Sequence, residues 1–133
     1  MIKKTFRQLN EIDSVVGELY EKDTTLSQTK FGYAYGKFYE KYVKPVLMEL
    51  QTELTVISVN NALEDKETKA ILMTEDRKEY LYSKEGKIKK MKEQQKLVEE
   101  FNEKEFEIEP YVATYKPEMT DEQYEVLKGV IVE

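Results

Sequence analysis

Side chains able to do chemistry are unevenly supplied in this chain of 133 residues, which has no histidine and no cysteine. A thiol nucleophile, a disulfide framework, a Cys/His zinc site and any Ser-His-Asp or Cys-His pair are therefore closed to it. Catalysis would have to rest on carboxylates, lysine, tyrosine, serine, threonine or a hard metal. The spacings that mark a calcium loop or a glycine-rich phosphate cradle do not occur. Glu67-Thr68-Lys69, with an upstream aspartate, has a spacing that holds Mg²⁺ in some nucleases. With 36% of the residues charged, such a triplet arises by chance, and a solvated strand entry is the stronger reading. No catalytic residue, metal or cofactor is expected.

What remains is chemistry of contact. Tyr35, Tyr39 and Tyr42 fall on one helical stripe with Phe31, Phe38 and Val46. Such rings can stack on bases, but the flanking charges are balanced, so packing in a core or against a protein partner is favoured. Tyr33 falls on the opposite side, near Lys37, Glu40 and Lys44, and is expected to be exposed. Residues 84–96 hold six lysines against Glu85 and Glu93, and residues 99–109 hold six glutamates against Lys104. The lysines read as the solvated side of a helix whose core face is Ile88, Met91 and Val98. Contact with a nucleic acid or another anion, and pairing with the chain's own acidic block, are the weaker readings. Glu105, Glu107 and Glu109 alternate, which puts three carboxylates on one strand face. These and the four tyrosines are the candidate partner-binding residues.

The elements that position them can be read from pattern. Thr5-Phe6-Arg7-Gln8 is a capping box, and Leu9, Ile12, Val16 and Leu19 follow at helical spacing, giving a helix over 6–22. Ser27 or Thr29 can cap a second helix. Gly32 and Gly36, each costing ~1 kcal/mol inside a helix, are assigned to close approach of the first helix. Pro45 interrupts the second helix, so either one kinked helix runs over 28–63 or two helices meet there. A continuous one would be ~50 Å long, against a radius of gyration of ~14 Å for a domain of this size. Residues 70–74 and 79–83 read as a β-hairpin. A third helix extends to about Lys104, and a short strand at Phe106 and Ile108 ends at Pro110. Thr120-Asp121-Glu122-Gln123 is a second capping box, and Gly129 stops the helix it opens. Val130-Ile131-Val132 is an apolar tail that should dock on something. No internal repeat is evident. The fold class is α+β, mainly helical, with a long second helix and a small antiparallel β-element.

Bulk composition sets the frame. Leu, Ile, Val and Phe total 34 residues, about a quarter of the chain and above the roughly 20% where disorder sets in. The chain can bury a core, and one domain over 1–133 is expected. Lys3-Lys4 is followed by no apolar run, so no leader is expected, and no stretch reaches the ~18 apolar residues of a membrane span. The net charge of -6 makes direct nucleic-acid binding a poor prospect.

The order of parts is a capped first helix, a long second helix and a charged middle. Then come Glu99-Glu100-Phe101-Asn102-Glu103-Lys104-Glu105, Phe106-Glu107-Ile108-Glu109-Pro110 and Met119-Thr120-Asp121-Glu122-Gln123-Tyr124-Glu125-Val126-Leu127. This layout resembles a group of small uncharacterised proteins of tailed bacteriophages. The resemblance implies a viral accessory protein in the bacterial cytoplasm, or in the virion. The closed catalytic routes, the tyrosines and the segregated charge blocks favour contact over chemistry, so the expected function is that of a non-catalytic inhibitor of a host defence or DNA-processing factor, acting on a host or phage protein. The alternatives are an assembly component forming a symmetric homo-oligomer and a small-ligand (nucleotide) binder.

Overall fold

The computed structural model describes residues 1–133. It is an α+β, mainly helical fold whose only sheet has two antiparallel strands. Backbone contacts group the chain into two compact units. The first is Met1–Leu47 with Asn102–Glu133, and the second is Met48–Phe101.

The first unit begins with strand β1, Ile2–Thr5, and passes directly into helix α1, Phe6–Lys22. Thr5 and Gln8 form the capping box that the sequence indicates. Leu9, Ile12, Val16 and Leu19 are all buried. A 3-10 turn at Leu26–Gln28 leads to helix α2, Lys30–Phe38, capped by the Thr29 hydroxyl accepting from the Gly32 N–H. A Cβ on Gly32 would lie 2.4 Å from the Ser27 carbonyl oxygen. The close approach that excludes a side chain there comes from this turn, not from α1.

Pro45 neither breaks nor splits the second helix. Tyr39–Val43 forms a π-helical turn, and helix α3, Lys44–Asn61, continues from it, so 32 residues run without a break. Proline has no N–H to offer the Lys41 carbonyl and its ring crowds that oxygen. Just ahead of it the Lys44 N–H reaches back five residues to the Tyr39 carbonyl. The wider turn takes up the misfit.

Strand β2, Glu105–Ile108, pairs with β1 in the register Ile2↔Ile108 to Thr5↔Glu105. The strand at Phe106 and Ile108 is therefore present, but its mate is the chain's own start, which the sequence does not mark as a strand. Helix α5, Asp121–Leu127, opens with the second capping box and is capped at Lys128, just ahead of Gly129, whose φ of +75° suits a residue without a Cβ. Val130, Ile131 and Val132 are fully buried in the apolar cluster formed by α1, α2, Ile108 and Leu127. The Tyr111 and Ala113 N–H groups donate to the Val130 and Ile131 carbonyls.

The second unit holds most of α3, the connection, and helix α4, Lys84–Asn102. The Gln94 amide bonds the Leu54 carbonyl (3.0 Å) and the Ser58 hydroxyl (2.9 Å). The β-hairpin expected over 70–83 is reduced to single bridges, Glu64↔Ile71 and Met73↔Tyr80. The cause is a closed backbone ring. The Leu63 N–H donates to the Leu81 carbonyl, Leu81 to Leu72, and Leu72 to Leu63. In a flat strand one residue's N–H and C=O serve the same neighbour. Here they serve different ones, so no ladder extends.

The ring exposes a nine-residue recurrence that periodicity alone did not reveal. Leu63, Leu72 and Leu81 are each followed two residues later by Asp65, Thr74 and Ser83. Each of these oxygens accepts from a backbone N–H shortly ahead, at Glu67 and Thr68, at Glu79, and at Gly86. Lys69 and Arg77 take positive φ in the first two turns, so Glu67-Thr68-Lys69 lies in a turn and not at a strand entry.

The core face expected on α4 is also corrected. Ile88 is 48% and Met91 59% exposed, Val98 is half-buried, and Phe101 is the helix's one buried residue.

Candidate functional site

Five tyrosine rings come together in the first unit. Tyr20 from α1, Tyr33 and Tyr35 from α2, Tyr39 from the π turn and Tyr111 line an open groove of about 920 Å³. Asp13, Gly32, Gly36, Lys37, Glu40 and Lys41 complete its lining. The two carboxylates and two ammonium groups balance, so the groove presents rings and hydroxyls more than net charge.

The rings are held from behind. Tyr35 is buried and its hydroxyl donates to the Asp13 carboxylate. Tyr20 meets Tyr35 edge-on at 6.5 Å, and Tyr39 lies 6.1 Å from it. Contacts of this type add to the area they bury. Burial, and then the hydrogen bond to Asp13, push the Tyr35 phenol well above its ordinary pKa; burial raises Tyr20 as well. Neither is poised as an acid or base near neutrality.

Gly36 faces this groove, and nothing lies within 4 Å of where its Cβ would be. Close approach of α1 therefore does not account for it. The helix forgoes ~1 kcal/mol of propensity there while the floor of the groove stays open. The π turn, a feature often found at functional sites, directly follows.

Of the four candidate tyrosines, three line the groove. Tyr33, 70% exposed, stands on its surface together with Lys37 and Glu40, so the side of α2 that reads as opposite to Tyr35 borders the same concavity. Tyr42 is half-buried outside it, packed on Phe38 at 5.4 Å and near Tyr111 at 6.4 Å.

Glu105, Glu107 and Glu109 are exposed, and none lines the groove. Glu107 sits across from Lys3 in the sheet. Glu109 pairs with Lys41 at 3.7 Å, and its N–H donates to the Tyr42 hydroxyl at 2.8 Å. Lys41 also lies 5.3 Å and 5.9 Å above the Tyr42 and Tyr111 rings; those phenols raise its pKa, Tyr111 first. Lys41 thus links the carboxylate strand to the tyrosines. The neighbouring Glu103 is paired with Arg7 at 2.7 Å. With cations beside Glu103, Glu107 and Glu109, this surface differs from an unbroken row of negative charge.

Sequence reading missed Asp13, Tyr20 and Tyr111. The one available signal for Tyr20 is its place beside the Leu19 stripe of α1, and for Tyr111 its place directly after the strand-ending Pro110. No group of three or more carboxylates is gathered in a way that could hold a metal ion, and no helix is long and apolar enough to cross a membrane. No family model, curated protein or solved structure matches this chain.

Proposed function

We propose that this chain is a non-catalytic accessory protein that works by binding another protein, and that the tyrosine groove is its partner-binding face. The resemblance of its layout to small phage proteins supports a target in the infected bacterium, a host defence or DNA-processing factor. The observation that carries the binding reading is Gly36. A helix-weakening residue lies under an open wall of five rings with no steric need for it. Tyrosine is enriched where proteins recognise one another, because it adds large contact area and a polar tip at low entropic cost. Glu109 meets this face through Lys41, and Glu105 and Glu107 precede it on the same segment.

The test is affinity capture from host lysate with wild type, Gly36→Leu, Tyr33→Ala and the triple reversal of Glu105, Glu107 and Glu109 to lysine. A protein retained by wild type should be lost with Gly36→Leu, although that variant melts no lower, since leucine is the better helix former by ~0.8 kcal/mol. Equal retention by wild type and the groove variants would sink the proposal.

A further inference from the structure

The charges of α4 run the wrong way for an isolated helix. Residues 84–92 carry five lysines and one glutamate, while 93–102 carry three glutamates and one lysine. A helix favours negative charge at its start and positive charge at its end. Glu85 is the one acid in the first turn of α4, and its last turn has no base. Within α4 one ion pair relieves this, Lys89 to Glu93 at 3.9 Å. The arrangement costs the helix stability, so its use has to lie elsewhere.

The same helix carries an uncovered seam. Ile88, Met91, Gln95 and Val98 are spaced three, four and three apart, the a/d pattern by which two helices interlock. Ile88, Met91 and Gln95 are exposed and Val98 is half-buried. The side of α4 that meets α3 is marked by Gln94, which bonds Leu54 and Ser58. The seam is therefore additional to the packing within the chain.

Seam and charges together specify a partner. A helix that is basic in its first half and acidic in its second is complementary to its own antiparallel image. In a parallel pair, lysines would face lysines and glutamates glutamates. We infer that α4 is a self-association surface: two copies of the chain pair antiparallel along Ile88, Met91, Gln95 and Val98, with the two-fold axis near Glu93, where the charge changes sign and Ile88 faces Val98. This is an isologous contact that closes on itself as a dimer. It is independent of the tyrosine groove, which lies in the other unit.

Sedimentation and a charge-complementation experiment test it. Wild type should sediment as two chains at low ionic strength and dissociate as salt rises. Lys87→Glu with Lys92→Glu removes the positive half, and Glu99→Lys with Glu100→Lys removes the negative half. Each double variant alone should sediment as one chain, with its affinity for itself at least about tenfold weaker. An equal mixture of the two should restore the two-chain species. All four positions are exposed, and far-UV circular dichroism confirms that each variant is folded.

Orientation is read by Ile88→Cys in this cysteine-free chain, which should give no disulfide-linked dimer, because in an antiparallel pair the two copies of residue 88 lie far apart. A single-chain wild type at every concentration would overturn the proposal. So would dimers that survive both double variants, a mixture that fails to associate, or efficient self-linking through Cys at position 88.

Discussion

The two units solve the problem of apolar surface in opposite ways. The first gathers sixteen side chains into one dry cluster sealed by the tail Val130–Ile131–Val132. The second buries only Phe101 and leaves Met48, Val56, Ile88, Met91 and three leucines in contact with water. The same residue types therefore mean different things in the two. In the first unit they are the fold. In the second they are surface, and α3 and α4 are joined by polar contacts such as that of Gln94. An apolar residue states a demand for burial, and the demand can be met within the chain or by something outside it.

The sharpest way to break this contrast is to remove comparable side chains from both units. Phe31→Ala or Ile131→Ala should cost about 2–5 kcal/mol, seen as a large drop in the urea midpoint of tyrosine near-UV circular dichroism. Met91→Ala should stay within about 0.5 kcal/mol of wild type, measured at a concentration where the chain is single. A Met91→Ala loss as large as that of Phe31→Ala would show that the second unit has a core of its own.

A smaller effect sharpens the description of the first unit. Tyr35→Phe removes the hydrogen bond to Asp13 and should cost about 1–2 kcal/mol. The Tyr35 and Tyr20 phenols have folded-state pKa values above the unfolded value. Their contribution to stability is complete below pH ~10 and is lost as pH rises through the folded values. An alkaline absorbance titration should show these two of the ten tyrosines ionising late, and only Tyr20 late in Tyr35→Phe. Simultaneous ionisation of all ten would contradict the packing of the groove.

The smallest effect belongs to the second unit. Asp65 is held below the usual carboxylate range by the N–H groups of Thr68 and Glu67, and Asp76 by the Thr74 hydroxyl and the Lys78 N–H. Stability from a depressed carboxylate is present above the unfolded pKa of ~3.9 and lost as pH falls through the folded value. The amide resonances of Glu67, Thr68 and Lys78 should therefore move in acid while those of Leu9 and Val16 do not. Movement of both groups together would mean that the two units respond as one.

Legibility followed the range of the interactions. Helices α1 and α5 were readable because a capping box and a 3.6-residue stripe are local. The burial of the tail was readable because three consecutive branched apolar residues have few other places to go. Strand β1 was not, since Ile2–Thr5 is a strand only through Glu105–Ile108, a hundred residues on. The groove was half-legible: Tyr33, Tyr35 and Tyr39 share one helix, but Asp13, Tyr20 and Tyr111 arrive from elsewhere. For α4, periodicity picked out Ile88, Met91 and Val98 as a stripe but misplaced it in the core, since Ile88 and Met91 are exposed. It could not say that the chain has nothing of its own to lay over it, because a helix facing its own core and one facing a second molecule have the same pattern.

The leucine ring has one further consequence. A hairpin end with open amides can act as a template on which another strand grows, which is how many exposed β-edges seed aggregation. At Leu63, Leu72 and Leu81 each amide already has its carbonyl within the triangle. This greasy corner can be wetted by another surface, but it offers no unfinished row of bonds for a foreign strand to complete.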